Sequence, residues 1–164
     1  MANPLYDQLF GKHAGKDTPF LWLPDGSCLS HDAFLKQAAQ IANALTMLGV
    51  HPGDRVAVQV EKSPQSLAVY AACAQAGIIF LPLNTAYTED ELAYFIENSG
   101  AAVILCDSSR QSVVAPIAKR LGAQLETLDA DGRGSLLDKA AACDNQFTTV
   151  DRNGDDLAAF LAAL

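Results

Sequence analysis

The chain has 164 residues, half of them hydrophobic and 18% charged, which is the composition of a folded unit with a core of its own and not of a disordered segment. The formal net charge of −8 excludes the clustered cationic surface that a nucleic-acid backbone requires. No apolar run approaches the ~20 residues of a bilayer span, and the start, MANPLYDQLFGKHAGKD, lacks the basic and apolar regions of a secretory signal, so no membrane contact and a cytoplasmic (or organelle-matrix) location are expected.

Residues 5–10 read as a short amphipathic helix. Residues 18–29 read as a hairpin, because Pro24-Asp25-Gly26-Ser27 supplies turn dihedrals between two apolar runs. Ser30 is placed to cap a helix to residue 48, in which Phe34, Ala38, Ile41, Leu45 and Leu48 keep the helical period and after which Gly49 stops it. Beyond the turn His51-Pro52-Gly53-Asp54 lies a strand at 55–60 with apolar residues on both faces, the pattern of a parallel strand covered by helices.

Pro64 suits the first position of a helix through 76, which Gly77 closes, and residues 78–83 form a continuous apolar strand. Thr88-Glu89-Asp90-Glu91 is a capping box that opens a helix to about residue 98. Residues 102–106 are a third strand. Ser108 or Ser109 caps the next helix, through 121, with Pro116 kinking it or delaying its start, and 124–128 is a fourth, weaker strand. Asp131-Gly132-Arg133-Gly134 is a surface turn, 136–143 a short helix and 144–154 a polar loop, before the closing DDLAAFLAAL.

Strands alternating with helices of about 10–15 residues predict right-handed crossovers. The expected fold class is therefore α/β, a mostly parallel doubly wound sheet with flanking helices. Residues 55–128 are its βα-repeat core and 1–164 a single partial domain.

The motifs that suggest chemistry are weak. Gly11-Lys12-His13-Ala14-Gly15-Lys16-Asp17 is one residue short of a phosphate loop, ends in Asp where Ser or Thr is needed, and follows no strand. Asp151-Arg152-Asn153-Gly154-Asp155-Asp156 starts like a calcium loop but lacks the glycine at its sixth position and the glutamate at its twelfth, and reads as a solvated acidic loop. No metal site is expected. The four cysteines form no C-x-x-C pair, and Cys73 and Cys106 fall in apolar elements as buried free thiols. His13, His31 and His51 read as exposed and lie in no nucleophile pattern. Glu61-Lys62 follows a strand's carboxyl end and reads as a solvated turn.

One loop stands apart. Leu83-Asn84-Thr85-Ala86-Tyr87-Thr88 also follows a strand's carboxyl end, where α/β sheets place ligands. Turn and cap roles account for Asn84 and Thr88, which leaves Thr85 and Tyr87 as candidates for lining a ligand tunnel. No catalytic residue is assigned.

The stretch EKSPQSLAVYAACAQAGIIFLPLNTAYTEDELAYFIENSGAAVILCD, with GVHPGDRVAVQ before it, resembles the N-terminal region of the adenylate-forming acyl-CoA synthetases. LPLNTAYT and DGRGSLLDKA look most like the malonyl-CoA synthetase branch, and the likeness runs over about residues 5–160. The resemblance implies part of the large N-terminal domain of such an enzyme. It also implies the family's reaction: with ATP and Mg²⁺ a small carboxylic acid of the malonate kind becomes an acyl-adenylate, and CoA then displaces AMP.

In the family a phosphate loop of the form YTSGTTGxxK follows a DDLAAILYTSG-like strand. Here Asp155-Asp156-Leu157-Ala158-Ala159-Phe160-Leu161 is followed by Ala162-Ala163-Leu164. The expectation is an N-terminal piece that lacks that loop and the family's catalytic residues, is inactive alone and binds none of these cofactors tightly. The alternatives are a non-catalytic interaction module built on the same fold, or a ligase half for another short or medium-chain acid. The final segment, as a helix, would cover a sheet edge; as an orphan strand it would leave the edge open to self-association.

Overall fold

The computed structural model describes residues 2–162. Helix α1 (Pro4–Leu9) opens the chain, with Asn3 capping it through a bond from the Tyr6 amide, and a 3₁₀ turn over Gly11–His13 follows. Strands β1 (Pro19–Trp22) and β2 (Cys28–Ser30) pair antiparallel across the turn that Asp25 braces by accepting from the Ser27 amide and hydroxyl. Helix α2 (His31–Met47) starts where Ser30 accepts the Ala33 amide.

The main sheet then builds by alternation: β3 (Arg55–Gln59), α3 (Pro64–Ala76), β4 (Ile79–Pro82), α4 (Glu89–Ser99), β5 (Val103–Cys106), α5 (Gln111–Leu121), β6 (Gln124–Thr127) and α6 (Ser135–Ala141). All its strands are parallel, in the order β4-β3-β5-β6. The α/β fold class expected from the alternation is what the chain adopts.

Strand β3 is apolar on both faces because both are covered. Val56 and Val58 join Val103 and Leu105 under α2, α3 and α6, whereas Ala57 joins Ile104 and Cys106 under α4 and α5. Fully buried Leu105 and Ile104 each contribute about 1.5–3 kcal/mol by leaving water.

Local signals set most helix ends. Ser63 and Ser66 exchange backbone bonds at the start of α3, as do Thr88 and Glu91 at α4. The start of α5 differs from expectation: neither Ser108 nor Ser109 caps it. Ser108 gives its amide and hydroxyl to Asp129, at 2.7 and 2.9 Å, and a 3₁₀ turn over Ser108–Arg110 leads into the helix, which keeps Pro116 in its interior.

The loop at 144–154 is not simply solvated. Asn43 and Gln75 donate to the carbonyls of Asp144, Gln146 and Phe147, the Val150 amide bonds to the Gln75 carbonyl, and Arg152 reaches the Gly77 carbonyl. This strap delivers the last residues to the outer edge of β4. There the Phe80 amide donates to the Ala158 carbonyl at 2.9 Å and the Phe160 amide to the Phe80 carbonyl at 3.3 Å, with Ala159 bridged parallel to Phe80. The closing segment is therefore extended and lies on that edge; Ala163 and Leu164 fall outside the described residues. No described helix is long and apolar enough to cross a membrane.

Candidate functional site

Strand β3 departs toward β4 through α3 on one face of the sheet, and its neighbour β5 departs toward β6 through α5 on the other. Adjacent strands whose connections leave in opposite directions open a crevice between their loops, the usual ligand position in a doubly wound sheet. Here the crevice is a cleft of about 460 Å³. Glu61 lines it after β3, Thr85 after β4, Asp107 and Arg110 after β5, and Asp129 and Asp131 after β6.

Its electrostatics are mostly acidic. Burial pushes the Asp107 carboxyl above the usual carboxylate range, and the charges of Glu61 and Asp129 add to this against a backbone bond from Glu61. Asp131 goes the other way, its carboxyl held below the usual range by hydrogen bonds from Arg133 at 2.7 Å. Arg110 is the cation among the lining residues.

The two sequence candidates part company. Thr85 stands on the cleft wall. Tyr87 turns toward α4, its ring centroid 4.9 Å from that of Phe95 and its hydroxyl donating to the Ala162 carbonyl at 3.3 Å. Asn84 makes the turn, its side-chain oxygen accepting the Ala86 amide and its carbonyl the Tyr87 amide. Glu61, read as a solvated turn residue, stands on the cleft rim. Asp107, Arg110 and Asp129 belong to the cleft without having been singled out, although Asp107 and Asp129 also follow strand ends. Gln59, beneath the loop, gave no signal beyond a polar residue ending an apolar strand.

ATP and CoA both present phosphates, and Mg²⁺ a hard dication, to whatever site takes them. A phosphate docks on free amides at a helix start, but the Ser108 amide is already taken by Asp129. Glu61, Asp107 and Asp129 would also repel a polyphosphate, and the phosphates of CoA meet the same charge. The carboxylates and the occupied Ser108 amide thus offer the phosphates of ATP and CoA no dock on this wall. Among the described residues no three His, Cys, Asp or Glu side chains converge to hold a metal ion.

Away from the cleft, His13 and His31 are half-buried and not exposed. Residues 14–18 fold back over the start of α2, where the His31 amide bonds to the Thr18 carbonyl, and the two rings stack with centroids 4.3 Å apart. His51 is exposed beside Asp54. Cys73 and Cys106 are buried free thiols, as their apolar settings predict.

This architecture is that of the N-terminal domain of adenylate-forming enzymes. Residues 11–161 match the model of the AMP-binding enzyme family, and the chain belongs to that family. It superposes on apo MatB from Rhodopseudomonas palustris with a TM-score of 0.91 and 43% identity, over 97% of this chain and 32% of that one. The ATP-bound form of the same MatB gives a TM-score of 0.92 at the same identity and coverage. A feruloyl-CoA synthase of an Amycolatopsis species is 37% identical over 93 residues, which is 57% of this chain and 19% of that protein. The fatty acid–[acyl-carrier-protein] ligase ScoC of Streptomyces coeruleorubidus is 29% identical over 122 residues, 74% of this chain and 23% of its own. The chain thus spans about a third of the solved structures and about a fifth of these curated relatives.

Proposed function

We propose that this chain is the N-terminal part of an ATP-dependent carboxylate–CoA ligase acting on a small acid of the malonate kind, with residues 1–164 as one partial domain. In that reading the whole protein forms an acyl-adenylate and pyrophosphate, and then an acyl-CoA and AMP. The observation that carries the reading is the likeness to MatB at 43% identity along nearly the entire chain.

The part played by these residues is a scaffold and one wall of the acid's tunnel. Thr85 faces the cleft from the β4 loop, and Tyr87 packs the same loop onto Phe95. The acidic lining means that the partner segments of a full ligase supply the groups that neutralise phosphate and carboxylate. The chain alone therefore binds neither ATP nor malonate measurably.

The test is AMP release with malonate, ATP, Mg²⁺ and CoA, on this chain alone and with a separately supplied C-terminal remainder of a ligase of this family. Turnover only when the two are combined supports the reading. Ferulate replacing malonate as the faster substrate would assign the chain to an aromatic-acid ligase instead, a reading favoured by the feruloyl-CoA synthase relatives. No turnover with any acid would overturn the ligase reading and leave an interaction module.

A further inference from the structure

Gln59 closes β3 in a fully buried position, 1% exposed, on the sheet face where its neighbours Ala57, Ile104 and Cys106 are all apolar. Its Nε2 donates to the Asn84 carbonyl at 2.8 Å while its Oε1 has no partner among the described residues. Turning the amide over would set that oxygen against the carbonyl, so the bond to Asn84 fixes its orientation. At the far end of the same loop Arg110, from the turn after β5, donates Nη2 to the Tyr87 carbonyl at 3.4 Å, and its buried Nε likewise has no partner among the described residues. Between these two grips, the Tyr87 amide closes on the Asn84 carbonyl at 3.1 Å, with Thr85 inside the turn.

We infer that Gln59 and Arg110 are positioning residues: from the end of β3 and from the turn after β5 they hold both ends of the turn that follows β4, and so fix the place of Thr85 on the cleft wall. That the wall faces an acid rests on the function proposed above; the grip itself does not. A half-satisfied buried amide is a poor choice for the core, because an unpaired polar atom carries its desolvation cost without return. Leucine would suit this apolar face better. What glutamine supplies there, and leucine does not, is the bond to Asn84.

The two roles separate in Gln59→Leu. The Asn84 carbonyl keeps its bond from Tyr87, so no new orphan is made, and the midpoint of unfolding is expected to stay level or rise. Amide hydrogen exchange at Ala86 and Tyr87, followed by NMR on the 164-residue chain, is expected to speed up about five- to tenfold, the weight of one hydrogen bond. The β4 amides should not change. Arg110→Met, which removes the second grip, is expected to act in the same direction.

Unchanged exchange at Ala86 and Tyr87 in both variants would overturn the inference. So would faster exchange that spreads through β4 together with a fall in the midpoint, since that marks a residue serving only the core. No ligand enters this measurement, so its failure and a failure of the AMP-release assay are independent.

Discussion

Arg152 donates to the Gly77 carbonyl at 3.1 Å and lies over Gly77 where a Cβ would stand. A Cβ at Gly77 would sit 3.1 Å from the guanidinium Nε and 3.3 Å from Val150. Gly77 also ends α3 with φ at +67°, a left-handed conformation that side chains resist. The pair ties the strap after α6 to the point where α3 gives way to β4.

Gly77→Ala is accordingly expected to cost about 1–2 kcal/mol. In a chain of this length that lowers the melting temperature by about 3–6 °C. Arg152→Ala should cost a similar amount, and the double variant less than the sum of the two, because the alanine already crowds Arg152 in that contact. Thermal melts of the three variants check this, and strict additivity would argue against the contact.

Gly134 should be the least replaceable glycine in the chain. Its φ is +135°, and a Cβ there would run into the Thr127 carbonyl oxygen. Gly134→Ala is expected to cost about 3 kcal/mol or more, since backbone has to move. Gly26→Ala in the hairpin, where a Cβ meets none of the described residues within 4 Å, should lose only the left-handed cost of about 1–2 kcal/mol. Urea unfolding of the two variants gives the comparison directly.

The stacking of His13 on His31 is expected to make the fold of residues 14–18 over the start of α2 sensitive to acid. Partial desolvation, then the neighbouring His31, Lys16 and Lys12, hold the His13 pKa below its ordinary value, and the Lys16 ammonium lies 3.5 Å from its Nδ1. A depressed folded pKa means that the unfolded chain takes up the proton first. The stabilisation is thus complete above an ordinary value of about 6.5 and is lost as pH falls below it. Urea midpoints from neutral to mildly acid pH should fall more steeply for the wild type than for His13→Gln. Equal slopes would place the effect on the carboxylates.

Thiol labelling should divide the cysteines. Burial pushes Cys73 up to about 12, and burial with the nearby Asp107 charge pushes Cys106 up to about 11. The thiolate is the reactive form, so both should resist alkylation at pH 8 until the chain unfolds. Cys28 is exposed and should be modified first. Peptide mass spectrometry after brief iodoacetamide treatment reads the order.

Whatever depends on near neighbours is legible in the sequence. Ser30 with Ala33, Ser63 with Pro64, and Thr88 with Glu91 announce helix starts within one turn, and the alternation of elements gives the α/β class. Strand order is harder, because nothing local says that the chain crosses β3 on its way from β4 to β5. Without that crossing the crevice between the loops of β3 and β5 has no address, and Asp107 and Asp129 look like ordinary loop acids. Ser108 shows the same limit: its sequence suits a cap, but Asp129, 21 residues on, takes both its groups. The closing AAFLAAL has the alanine and leucine of a helix. Yet Ala158 and Phe160 extend, because the open amide and carbonyl of Phe80 offer them a ladder.

That ladder has a consequence for synthesis. Phe80 and its partner Ala159 are about 80 residues apart in the chain. At about 5–20 residues per second, β4 exists for about 4–16 s before the segment that covers its outer edge has been made. During that interval the nascent chain carries an uncapped strand rich in Ile79, Phe80 and Leu81, and a ribosome-bound chaperone has its best opportunity there.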